Sequence, residues 1–139
     1  GIQSRKVRSI HEHCDLIHSL DRMKLVKSFS EVEKMTNHKK KYFIQINTGN
    51  EPQKSGVILS EADEFISHCL SDFELDIIGL MCLPPSNEDP KKHFKILKSI
   101  RDNFNLPYLS MGMTDDYEAA IDCGSTHIRI GRDIFGERS

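Results

Sequence analysis

The chain has 139 residues, of which 29% are charged and 37% hydrophobic, and its formal net charge is −2 at pH 7. That length builds one modest domain with its own core. The near-neutral balance gives no electrostatic case for nucleic acid or an anionic membrane surface. No apolar run approaches the roughly 20 residues of a membrane span, and none forms a signal-peptide core at the start.

Strand and helix signals alternate along the chain. Residues 15–20 (DLIHSL) form a short apolar run, after a strand stub at Gly1–Gln3. A helix is expected from Asp21 as N-cap, with Leu25, Val26, Phe29, Val32 and Met35 on one face. YFIQIN, 42–47, is rich in aromatic and β-branched residues and reads as a buried strand. The loop TGNEPQKSG follows, and Ser60 and Asp63 open the next helix as a capping box. Its apolar face is Ala62, Phe65, Ile66, Cys69 and Leu70. LDIIGLMC, 75–82, is a strand stopped by Pro84 and Pro85. A helix starts near Asp89 with Pro90 in its first position, where the missing N–H costs nothing. It turns Phe94, Leu97, Ile100 and Phe104 inward. LPYLS, 106–110, is the next strand, followed by a short helix over 114–122 capped by Thr114 and stopped by Gly124. THIRIG, 126–131, is the last strand, and 132–139 a final turn or tail.

Apolar strands alternating with helices imply a parallel sheet covered by helices. A small open sheet and part of a (β/α)8 barrel both satisfy this pattern; a complete barrel takes about 250 residues. Cys14, Cys69, Cys82 and Cys123 are widely spaced and form no CxxC pair, so they read as reduced thiols of a cytoplasmic protein. His11, His13, Cys14 and His18 lie close in sequence but fit no standard structural zinc spacing.

Three segments at strand ends carry the chemistry, since parallel α/β proteins place their sites there. Ser110-Met111-Gly112-Met113-Thr114 offers a hydroxyl and then a helix N-terminus, a combination suited to a phosphate. The same hydroxyl also suits a bond within its own turn. Arg129 stands in an otherwise apolar strand and calls for a carboxylate or a ligand acceptor. Gly131 lets the backbone approach an anion, with the amides of Gly131 and Arg132 as a cradle. Asn47-Thr48-Gly49-Asn50-Glu51, backed by Gln53-Lys54-Ser55-Gly56, reads equally as a functional loop or an ordinary turn. There is no GxSxG, Walker loop or GxGxxG.

Together the strings QSRKVR, LIHSLD, IQINTGNEPQKSG, GLMCLPP, LSMGMTDDYEAAI and GSTHIRIGRDIFGER resemble the YggS/PROSC-type pyridoxal 5′-phosphate (PLP) homeostasis proteins. The likeness covers essentially the whole chain in the same order. It implies an α/β fold, the (β/α)8 TIM barrel of the alanine racemase N-terminal type. Residues 1–139 are then a single partial PLP-binding domain, truncated and lacking the first strands. The cofactor-binding set it implies is Ser110 at the phosphate, the neighbouring Met111, Arg129 at the pyridine nitrogen, and Gly131 and Arg132 offering backbone amides to the phosphate.

An arginine at that nitrogen disfavours its protonation and makes the ring a poorer electron sink. This fits a non-catalytic PLP carrier in intracellular vitamin B6 homeostasis, serving PLP-dependent apoenzymes. The family lysine that forms the Schiff base lies upstream of the QSRK segment, so no catalytic residue is expected within the chain, and PLP would be held non-covalently or not at all. Arg5 stands where many relatives have asparagine. The alternatives are an amino acid racemase-like enzyme and a small α/β domain binding another phosphate compound. Open sheet edges would favour an oligomeric or swapped assembly.

Overall fold

A computed structural model describes residues 2–113 and 115–129, with the side chain of Arg129 outside that description. A 3₁₀ turn at Ser4–Lys6 leads into α1 (Val7–His13), β1 (Leu16–Leu20), α2 (Met23–Thr36), β2 (Lys41–Asn47) and the two-residue β3 (Val57–Ile58). Then come α3 (Leu59–Ser71), β4 (Asp76–Met81), α4 (Pro90–Asn103), β5 (Tyr108–Met113), α5 (Tyr117–Asp122) and β6 (His127–Arg129). The sheet order is β1-β2-β4-β5-β6, with β3 beside the end of β2, and every pairing is parallel. Each neighbouring pair of main strands is joined through a helix, as parallel connections require.

Period-two alternation, interrupted by register shifts between Ile17 and Leu20 and opposite Ile77–Gly79, sorts the strand side chains onto two faces. Ile17 and Leu20, Tyr42, Ile44 and Ile46, Ile77 and Leu80, and Leu109 and Met111 face the helices. They pack with Leu25, Val26 and Phe29 of α2, Ala62, Ile66 and Cys69 of α3, Phe94 and Leu97 of α4, and Ala120 of α5 in one continuous core. The opposite, concave face carries His18, Phe43, Ser110 and His127, which touch one another.

Several expected boundaries shift. Residues 4–13 are helical, where only a strand stub at Gly1–Gln3 was expected; Ile2 and Gln3 belong to no strand, and Gly1 lies outside the described residues. Asp21 does not cap α2. The N-cap is Arg22, with no side-chain bond, and Asp21 Oδ2 accepts instead from the Gly56 amide at 2.9 Å. Ser60 and Asp63 form no capping box, because α3 begins at Leu59; its first amide donates to Asn50 Oδ1 at 3.0 Å. Asp89 does cap α4 through Lys91 N, with Pro90 at the first position. Met35 and Leu70 lie at the solvent side of their helices, 68% and 41% exposed. β5 runs through Met113 rather than ending at Ser110.

Two packing details fix the sheet. Gly79 lies where β4 passes under Phe43: a Cβ there would run into the Tyr108 carbonyl oxygen and stand 2.8 Å from Phe43 Cε2. On the helix side, the buried Tyr42 hydroxyl donates to Glu33 Oε2 at 2.7 Å, and the Lys40 amide donates to the same oxygen at 3.0 Å. Burial first, then the bond to Glu33 and its charge, push the Tyr42 phenol far above its ordinary value of 10.0.

Gly79→Ala is expected to destabilise the fold by about 1–3 kcal/mol, read from urea midpoints, because backbone lines the space the methyl would fill. Tyr42 has a raised folded pKa, so its stabilisation is complete below pH 10.0 and is lost as pH climbs beyond it. In a spectrophotometric titration, one of the three tyrosines should ionise only with unfolding. Tyr42→Phe should abolish that step, and persistence of a late-ionising tyrosine in that variant would contradict the assignment.

Candidate functional site

The centre of the concave face is a stack of rings set at the starts and middles of the strands, with Tyr108 and His127 the first residues of β5 and β6. His18 of β1 lies parallel to Phe43 of β2, centroids 4.7 Å apart and planes 11° apart. His127 of β6 meets Phe43 edge-on at 5.2 Å, and Tyr108 of β5 meets His127 at 5.3 Å. Ser110 is wholly buried in the middle of β5, and its Oγ lies 3.0 Å from His18 Nδ1. A buried hydroxyl needs at least one partner, and among the described residues Ser110 Oγ has that one. With one proton and two lone pairs, the hydroxyl is not exhausted by a single bond.

Beyond the stack, the rim of the face is polar and held together by its own bonds. Asn47, which ends β2, donates from Nδ2 to Glu51 O at 2.8 Å and accepts from Glu51 N at 3.2 Å, closing the loop on itself. Thr48 Oγ1 and the buried His93 Nδ1 are 3.0 Å apart, and His93 Nε2 and Glu88 Oε1 are also 3.0 Å apart. That bond to His93, with a second to Lys92, holds the Glu88 carboxyl below its usual range. Asn47, Thr48 and Asn50 are therefore engaged in holding the loop, the structural reading of that segment. Beside it is a cleft of about 380 Å³ lined by Ser19, Gln45, Gln53, Lys54, Ser55 and Leu83.

The expected site residues are placed unevenly. Ser110 was expected at a strand end before free helix amides. It is in mid-strand, and the Met113 amide is already bound by Asp116 Oδ1 at 2.6 Å. α5 starts only at Tyr117, and Thr114, its expected cap, lies outside the described residues. The Met111 side chain packs among the helices, so a ligand on the concave face meets this residue only through its backbone. Arg129 ends β6, paired in register with Met113. Gly131 and Arg132 lie outside the described residues. His11 and His18, close in sequence, diverge: His11 Nε2 bonds His38 O at 2.8 Å, while His18 faces Ser110. Among the described residues no three potential metal ligands come together, and no helix is long and apolar enough to cross a membrane.

Phe43 and His127 were not singled out from sequence as site residues, and His18 was weighed only as a zinc ligand. The available signal was a ring in each of three strands on the face opposite the aliphatic core, legible only once the strand phases are known.

The parallel strands curled around a polar concave face define an α/β half-barrel. The chain belongs to the alanine racemase N-terminal domain family, whose sequence profile matches residues 1–139. It is 36% identical over 146 aligned residues to the pyridoxal phosphate homeostasis protein of Aquifex aeolicus, covering 99% of this chain and 64% of the relative. It is 34% identical to the protein of that name in Escherichia coli K12, covering 99% and 62%. The chain thus spans under two thirds of the length of these relatives. Among solved structures, PipY of Synechococcus elongatus without PLP superposes with a TM-score of 0.85 at 25% identity, over 92% of this chain and 64% of that one. PipY has also been solved with PLP bound.

All four cysteines are free, and burial pushes the Cys69 and Cys82 thiols up to about 12. The thiolate is the reactive form. Under native conditions a thiol reagent should therefore modify only the half-buried Cys14 and Cys123, and all four thiols once the protein is unfolded. Mass spectrometry after brief labelling reads this directly; native labelling at Cys82 would contradict the burial of β4.

Proposed function

We propose that this chain is part of a PLP-binding protein of vitamin B6 homeostasis, one that carries the cofactor without a robust reaction of its own and serves PLP-dependent apoenzymes. The observation that carries the reading is the wholly buried Ser110 hydroxyl on the concave face, whose hydrogen-bonding capacity is only partly used within the described chain. A fold that only needed filling would place an aliphatic side chain there, as barrel interiors do. The relatives' shared name and the PLP bound to PipY supply the identity of the ligand.

The residues fit such a ligand in kind. Ser110 would hold the phosphate, and Met111 would contribute only backbone. Family resemblance adds Arg129 at the ring nitrogen and the amides of Gly131 and Arg132 at the phosphate. PLP supplies an aldehyde that condenses with amines and a ring that can withdraw electrons. A permanently charged guanidinium at Arg129 would disfavour a proton on that ring nitrogen and so weaken the withdrawal. That bias suits a carrier better than a racemase. Among the described residues, β2 is the only strand with a lysine; Lys41 begins it and is solvent-exposed, so covalent attachment is assigned to a lysine outside this chain.

The protein that carries this chain should bind PLP saturably, followed by its visible absorbance, and should not racemise amino acids. Ser110→Ala should weaken PLP binding about tenfold or more, the usual cost of losing a hydrogen bond to a charged group. Absence of PLP binding, or unchanged affinity in Ser110→Ala, would overturn the reading; turnover of an amino acid would move it to the racemase class.

A further inference from the structure

We propose that His18 is a positioning residue that holds the Ser110 hydroxyl as an acceptor from Nδ1–H, so that its O–H donates to the ligand's phosphate. This rests on the PLP reading above and assigns a role to a residue of another strand. Ser110 Oγ has a single proton. If His18 Nδ1 were unprotonated, it would take that proton across the 3.0 Å contact and leave Ser110 facing a phosphate with lone pairs alone. If Nδ1 carries the proton, Ser110 accepts from it and its hydroxyl proton is free to turn toward an anion. An anion at Ser110 therefore selects one state of His18, the state with hydrogen on Nδ1.

The ring is built to hold that orientation. It stacks on Phe43, which is wholly buried and gripped edge-on by His127. Phe43 in turn has its place because β4 has no side chain at Gly79. The imidazole is thus fixed in plane and height. It reaches Ser110 from β1, although β2 and β4 lie between β1 and β5 in the sheet. A mobile hydroxyl rotor in a buried site is converted into a directed donor.

The test uses the whole protein that carries this chain and two ligands, PLP and pyridoxal, which lacks the phosphate. His18→Phe keeps an aromatic ring against Phe43 but removes the donor. It should weaken PLP about tenfold, comparable to losing a hydrogen bond to a charged group, and weaken pyridoxal by clearly less. His18→Asn, whose amide nitrogen takes the place of Nδ1, should recover most of the PLP affinity. In a Ser110→Ala background, His18→Phe should have no further effect, because the two residues act through one bond. Nitrogen-15 spectra of the PLP-bound parent should show Nδ1 protonated, which needs no variant to fold.

Equal loss of PLP and pyridoxal, additive effects in the double variant, an unprotonated Nδ1, or a His18→Phe protein that binds PLP like the parent each overturn the role of His18. A parent that does not bind PLP, or a Ser110→Ala variant with parental affinity, overturns the PLP reading itself and this role with it.

Discussion

The contact between His18 and Ser110 constrains the shape of the whole sheet. These residues lie on β1 and β5, three interstrand steps apart, which in a flat sheet is roughly 14 Å. A histidine and a serine side chain do not span that gap, yet their polar atoms are 3.0 Å apart. The sheet must therefore curl so that strands distant in order face each other across its concavity. Phe43 fills the hollow of the curl, and Gly79 lets the ring settle onto β4. Curvature, ring stack and buried hydroxyl form one arrangement: a side chain at position 79 would lift Phe43, and a lifted Phe43 would lose the plane that orients His18.

A second set of bonds holds the rim of this hollow. The Gly56 amide reaches back to Asp21 just after β1, and Asn50 serves the first amide of α3. Thr48 joins the loop after β2 to His93 on α4. Gly56 can make its bond because its φ of +110° is open to glycine, while a Cβ there would stand 2.8 Å from Asn47 N. Ends of β1 and β2 and the start of two helices are thereby tied through polar groups that are themselves satisfied, and the loop can be ordered without a ligand. Rigid support under a site keeps the cost of ordering it out of the binding step.

Much of this was legible in the sequence. Runs such as YFIQIN and LDIIGLMC read as buried parallel strands because both of their faces are covered, and α4 was readable from Asp89, Pro90 and the spacing of Phe94 and Leu97. The caps were less legible. Asp21 and Ser60 are of the right chemical type for N-caps, but tertiary partners decided the matter: Asp21 was drawn to Gly56, and Asn50, nine residues before Leu59, served α3 instead of its neighbour. The residues 4–13 lack a long apolar face, so their helix was invisible to periodicity. Ser110 was recognisable as a residue of interest, but its partner was not. Nothing local links positions 18 and 110, and their meeting depends on how far the sheet curls.

The contents of the two sheet faces differ in a way that packing alone does not explain. Toward the helices the strands present Ile, Leu, Tyr, Val and Met in one continuous cluster. Across the sheet, the same strands present His18, Phe43, Gln45, Asn47, Ser110 and His127, of which Gln45, Asn47 and Ser110 are almost or wholly buried. Burying polar groups costs free energy unless each finds a partner, and branched aliphatic side chains would fill a barrel interior more simply. Where the partners are complete, as at Asn47, the polar residue has a structural task. At Ser110 the described partners are incomplete, and its one bond there is to a ring stacked on Phe43. A hydroxyl that is buried, oriented and only partly satisfied is arranged for a group that arrives from outside the chain, and its single proton favours a group made of acceptors.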